Sequence, residues 1–242
     1  MIFTLIFVFA AVLGGSVASV AGFGIGSMLT PTLAAKLGTK LAVAAVSIPH
    51  VAGTALRLFL IRQHVNKKVL LGFGITSAAG GLAGALIHTR FSSTGLSFVL
   101  GALLVFAGLM GITGLSSRMR FGRRTAWLAG AASGVFGGLV GNQGGIRSAA
   151  LFGFDIKRES FVATATAIAL MVDAARMPVY FATEYHDLAR VWTYLLLGTA
   201  GVPVGTIVGQ RVLAKIPEKI FRRIVSIIIL LLGVALSVRP NL

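Results

Sequence analysis

Eight apolar stretches separated by short basic gaps occupy almost the whole chain: residues 2–35, 41–61, 69–89, 93–115, 125–154, 160–183, 189–210 and 220–238. Several match the ~20 residues that a helix needs to cross a ~30 Å hydrocarbon core. A membrane β-barrel is excluded, because its strands would alternate in polarity every second residue and these stretches do not. The longest polar gap, SSRMRFGRR at 116–124, is too short for a water-soluble domain. The pattern predicts an all-α polytopic membrane protein with one transmembrane domain spanning 1–242. Composition points the same way: at 56% hydrophobic and 12% charged residues, with mean hydropathy +0.93, there is too little polar surface for a globular protein in water.

The net charge of +16 raises the question of a nucleic-acid partner. Nearly all of the 22 Lys and Arg residues sit in the gaps between apolar stretches, where membrane proteins carry their orientation signals, so no nucleic-acid partner is expected. The absence of cysteine removes disulfides and thiolate metal sites and leaves the redox compartment open. The first residues, MIFTLIFVFAAVLGGSVAS, faintly resemble a signal peptide. They lack a basic leading region and run on into more apolar sequence, so the segment is expected to be retained.

Two apolar stretches are too long. Residues 2–35 carry no charge and as one straight helix would reach about 50 Å. Within it, VASVAGFGIGSMLTPTL places Gly22, Gly24 and Gly26 at alternate positions ahead of Pro31, and three interior glycines at ~1 kcal/mol each make 21–26 the expected break. The fifth stretch repeats the situation with GGLVGNQGGIRSAALFGF. An offset of 119 residues carries Gly22 onto Gly141, Gly26 onto Gly145 and Arg57 onto Arg176. The chain reads as a duplicated unit: repeat one 1–115, a basic connecting loop 116–124, and repeat two 125–242.

Charge counts separate two topologies. If all eight stretches cross, the basic residues of the gaps divide ten to nine and give no orientation. If the first and fifth are re-entrant hairpins that return to the side they entered, the division becomes fourteen to five, the bias expected of a cytoplasmic and an outer side. Each half then has three full crossings plus a hairpin, which makes the halves inverted and puts both termini outside. Inverted repeats with broken helices meeting at the midplane are a transporter design, and the breaks turn helix N-termini toward the substrate. The alternative is that the glycines serve only close helix packing.

Four ionisable residues lie well inside apolar stretches: Arg57, Arg147, Asp173 and Arg176. Charges at membrane depth are costly and point to function. Arg147 follows the break residues Gly141, Asn142, Gln143, Gly144 and Gly145, so a guanidinium, two neutral amides and exposed backbone N–H groups would converge on an oxyanion. Arg176 either faces the same cavity or pairs with Asp173 three residues away; Asp173 holds Arg176 in place or carries a coupling proton. Arg57, near the basic end of its stretch, either shares the site or snorkels to the interface. His50 is a proton relay or a packing residue. Thr30, Ser47 and Ser148 are candidates for the path lining. No paired carboxylates, metal-ligand cluster or nucleophile triad lies in the apolar stretches, so neither an enzyme, a metal site nor a cofactor is expected.

The paired motifs AGFGIGSMLTPTL and GGLVGNQGGIRSAALFGF, with about eight hydrophobic segments in this length, resemble the TauE/SafE family of bacterial anion exporters over nearly the whole chain. The resemblance implies export of sulfite, sulfoacetate or a related organosulfonate across the cytoplasmic (inner) membrane, coupled to protons. It places the family's glycine-rich segments on Gly22 to Pro31 and Gly141 to Ser148. Here Phe23 and Ile25 interrupt the first glycine run, a departure from the fuller run of that family. The expected partners are a small anionic substrate, protons as coupling ion and the lipid bilayer, with a homo-oligomer open. A passive anion channel and a non-transporting membrane scaffold remain the alternatives.

Overall fold

The structure is a computed structural model that describes residues 1–115, 123–151, 154, 156–212 and 217–238. The greater part of the basic loop 116–124, and the chain end that is expected to lie outside the cell, fall outside the described residues. The described chain is helical and has no strand. In order it forms α1 (Ile2–Ala21), α2 (Ile25–Leu37), α3 (Thr39–Ile61), a short α4 (Lys67–Val69), α5 (Ile75–His88), α6 (Ser93–Thr113), α7 (Arg123–Val140), α8 (Gly144–Leu151), α9 (Arg158–Arg190), α10 (Trp192–Val212) and α11 (Glu218–Val238). A wide π-type turn, Leu70–Gly74, joins α4 to α5, so that Lys67–His88 forms one span. Among the described residues six spans are long and apolar enough to cross a membrane. Large apolar side chains such as Phe9, Leu71, Leu128, Leu196 and Leu231 stand exposed on them, as a lipid-facing surface requires.

Both overlong stretches are broken. α1 ends at Gly22, whose φ of 79° is left-handed and whose N–H returns to the Ala18 carbonyl at 3.0 Å. Gly24, at φ 139°, then lets the chain reverse into α2. In the second half Gly141, φ 70°, closes α7 in the same way with its N–H 3.0 Å from the Gly137 carbonyl.

Each broken pair returns to the end of the bundle where it started. The Lys36 ammonium near the end of α2 lies 5.1 Å from the Phe3 ring centroid at the start of α1 and 2.6 Å from the Tyr194 hydroxyl at the start of α10. Lys40 at the start of α3 reaches the Thr89 carbonyl beyond α5 at 2.9 Å and Glu184 of α9 at 4.0 Å. These groups mark one end. At the other, Phe73 packs edge-on against Phe154 beyond α8, ring centroids 6.4 Å apart, while Trp127 near the start of α7 lies against Gly72. The two hairpins therefore enter from opposite ends and touch: a side chain at Gly26 would run into the Gly141 carbonyl, and one at Gly144 into Phe23.

Helix packing rests on small residues. α1 runs beside α10 through Gly15, Gly201, Gly205 and Gly209, and α5 beside α7 through Gly80, Gly84, Gly134 and Gly138. At most of these positions a Cβ would collide with partner backbone. α6 lies antiparallel to α11, Gly101 against Ser237 and Gly111 against Ser226. α3 packs on α9, which runs 33 residues and is longer than the 160–183 stretch predicted for it.

Candidate functional site

The hairpin tips meet at the level of His50 and Asp173, close to the midpoints of α3 and α9. Between them lies a cavity lined by Gly22, Phe23 and Gly24 of the first tip, Gly141, Asn142 and Gln143 of the second, and the side chains of His50, Arg57 and Arg147. About 20 Å³ of it is open to the centre of a water molecule, room for a water and little more. The N-terminus of α2 opens at this point, and Gly24 has no side chain with which to cap it. The N-terminus of α8 opens here too, with the Gln143 carbonyl accepting from the Arg147 N–H at 3.0 Å.

The three buried arginines have different surroundings. Arg176, 2% exposed, is fully engaged: Nε and Nη2 hold Asp173 Oδ1 at 2.9 and 2.7 Å, and Nη1 donates to the Gly137 carbonyl at 2.5 Å. Arg57, also 2% exposed, donates to Thr166 Oγ1 at 2.9 Å, to the Ala18 carbonyl at 2.5 Å and weakly to that of Gly22 at 3.5 Å. Its expected alternative of snorkelling to the interface is corrected. The last carbonyls of α1 need donors once Gly22 breaks the helix, and Arg57 supplies them from inside the bundle. Ala18 and Gly137, like Arg57 and Arg176, are 119 apart in sequence, so the two arginines do the same work on the two broken helices.

Arg147 differs. It is 2% exposed, and its one hydrogen bond is a long one from Nη2 to the Gly22 carbonyl, 3.4 Å; Nε and Nη1 have no partner. Gln143 Oε1 and Thr30 Oγ1 are likewise buried and unpaired near the tips. Asn142 Oδ1 accepts from Ser27 Oγ at 3.2 Å, a tip-to-tip contact. Asp173, fully buried, takes His50 Nδ1 on its second oxygen at 2.6 Å. Because that partner is a carboxylate, Nδ1 carries the proton of this bond.

The remaining sequence candidates scatter. Ser47 returns its hydroxyl to the Ala44 carbonyl of its own helix at 2.6 Å. Ser148 is buried one turn into α8, and Gly145 faces Ala107 of α6, away from the cavity. Gly26 touches the opposite tip. Sequence reasoning missed Ser27 and Phe23, and also Tyr180 and His88, which bond the Gly138 and Leu139 carbonyls and so complete the capping of α7. The only local signal for Tyr180 is its place one turn beyond Arg176 on α9. Among the described residues no group of three His, Asp or Glu side chains is placed to hold a metal ion.

The family model described as Sulfite exporter TauE/SafE matches residues 7–236. No curated protein and no solved structure matches the chain.

Proposed function

The chain belongs to the TauE/SafE sulfite exporter family, and from that premise we propose that this multi-pass membrane transport protein is a secondary exporter of a small sulfur-containing oxyanion, sulfite or an organosulfonate, bound between the hairpin tips. The observation that carries the site is Arg147. A guanidinium buried without partners for two of its nitrogens is costly unless an anion takes them. The N-termini of α2 and α8 open beside it and add backbone donors and favourable dipole ends, and the Asn142 and Gln143 amides add neutral ones. Arg57 and Arg176 keep the tips in shape by capping α1 and α7.

His50 and Asp173 are the proton-coupling pair in this reading. His50 lines the cavity and its Nδ1 is held on Asp173, so the ring links the anion site to a buried carboxylate. Repeats 1–115 and 125–242 are inverted, with α3, α5, α6 answering α9, α10, α11. The entry of the hairpins from opposite ends and the matched packing of α1 on α10 and α7 on α5 support this. The end bearing Arg62, Lys67, Lys68 and Lys157 faces the cytoplasm by charge, which leaves both termini outside an inner membrane. The cavity is too tight for a polyatomic anion as it stands, so loading requires the hairpins to part, as alternating access demands.

The test is calorimetric binding of sulfite to purified protein, wild type against Arg147→Ala. Binding that the variant loses while unfolding at an unchanged temperature supports the site. Equal binding by the two, or none by wild type, overturns it.

A further inference from the structure

The charge balance at the hairpin tips says more about the cargo than its class. Resting on the anion-site reading above, we infer that the cavity is built for a divalent oxyanion in preference to a monovalent one. At this depth the structure places three guanidinium groups, Arg57, Arg147 and Arg176, each 2% exposed, and one carboxylate, Asp173, fully buried. Asp173 and Arg176 neutralise each other through contacts of 2.7 and 2.9 Å, and Arg176 does not line the cavity. Arg57 and Arg147 do line it, and neither touches a carboxylate; their partners are a threonine hydroxyl and backbone carbonyls.

Among the described residues no other group cancels those two charges. His50 brings no negative charge of its own; its Nδ1 bonds Asp173 at 2.6 Å. The helix ends offset one another, because the negative C-termini of α1 and α7 lie beside the positive N-termini of α2 and α8. The sequence has six acidic residues. Of those described besides Asp173, Glu159 lies at the start of α9, Glu184 and Asp187 near its far end, and Glu218 at the start of α11. The unliganded cavity is thus short of two negative charges in a setting where isolated charges are strongly disfavoured. Two separate monoanions would force the hairpins further apart than one anion does, because the closed space is already too tight for a polyatomic anion. One compact dianion supplies both charges with the least opening.

Sulfate and methanesulfonate separate charge from shape: they are close in size and geometry and differ by one charge, at any pH near neutral. Titration of each into the purified full chain, by calorimetry at fixed pH and ionic strength, is expected to give sulfate binding tighter by about tenfold or more. Taurine, zwitterionic, is expected to bind more weakly than either. Arg57→Gln removes one of the two unmatched charges while keeping a donor for Ala18, and is expected to bring the two affinities within about threefold of each other. Arg147→Gln makes the same reduction if the first variant does not fold. Methanesulfonate binding to wild type as tightly as sulfate overturns this inference and leaves the anion site standing. No binding by any anion overturns the site itself, and this inference with it.

Discussion

In the first half of the chain α1 stops at a left-handed Gly22, and Arg57 from α3 donates to the freed Ala18 carbonyl; in the second half α7 stops at a left-handed Gly141, and Arg176 from α9 donates to the freed Gly137 carbonyl. All three pairs stand 119 residues apart. The same offset, carried to the residues that bear chemistry, finds no match. Arg147 answers to Met28, Asp173 to Thr54, Asn142 to Phe23, and His50 to Ala169. What breaks the helices and keeps the broken ends satisfied is present twice, whereas Arg147 and the His50–Asp173 pair are present once. The unmatched groups come from both halves and meet at one point, His50 on Asp173 and Arg147 on the Gly22 carbonyl. A frame repeated at that offset thereby surrounds unrepeated side chains, Arg147 and Asp173 from the second half and His50 from the first.

The most decisive way to break that comparison is all-or-none. The native chain has no cysteine, so single replacements are clean reporters. Lys36→Cys, beside the return of the first hairpin, and Lys67→Cys, at the opposite end, are expected to react with a membrane-impermeant maleimide from opposite sides of intact cells and inverted vesicles. Labelling of both from one side would end the inverted reading of the halves.

Next in size is the carboxylate. Asp173→Ala leaves Arg176 buried without its counter-charge and is expected to destabilise the protein by about 3–5 kcal/mol. Thr54→Ala, at the equivalent place in the first half, is expected to cost no more than ~1 kcal/mol, since its hydroxyl makes only a long 3.5 Å approach to His50 among the described residues. Thermal or denaturant unfolding in detergent compares the two directly. Equal losses would mean that the halves are not divided into frame and chemistry in this way.

The glycines test the shared frame instead. Gly22→Ala and Gly141→Ala each force an L residue into the left-handed region, for about 1–2 kcal/mol. A Cβ at either meets no atom closer than an ordinary contact, so the two losses are expected to agree. A large difference between them would show that one break is held by packing in place of backbone conformation.

The frame was legible in the sequence and much of the site was not, for a physical reason. Length and glycine spacing are local quantities, and they pointed to a break within 21–26 and to another in the middle of 125–154, where α1 and α7 end. Pairing across the bundle is not local. His50 and Asp173 are 123 residues apart, and nothing in either neighbourhood announces the other. Arg57 lies five residues before the basic Arg62, which suggested an interfacial position; only a demand from the end of α1, 39 residues away, turns it inward. The π-type turn at Leu70–Gly74 likewise escaped, because glycines at 72 and 74 read as ordinary small residues of a span.

The smallest effect tests whether the two halves are linked by more than packing. Ser27 donates to Asn142 at 3.2 Å across the tips, whereas Ser47 donates to Ala44 within its own helix at 2.6 Å; both are buried, 3% and 2% exposed. Removing the first hydroxyl frees the Asn142 amide and severs a bond between repeats, for about 1 kcal/mol. Removing the second takes away a bond that competes with the helix it sits on, so Ser47→Ala is expected to change stability by less than about 0.5 kcal/mol. The same order should hold for anion affinity: Ser27→Ala is expected to weaken sulfate binding about twofold, because the amide facing the cavity loses its fixed orientation, and Ser47→Ala to leave it unchanged. If the two variants cannot be told apart in either measurement, the Ser27 bond adds nothing to the link between the tips, which then rests on the Gly26 and Gly144 contacts and on Arg147 at the Gly22 carbonyl.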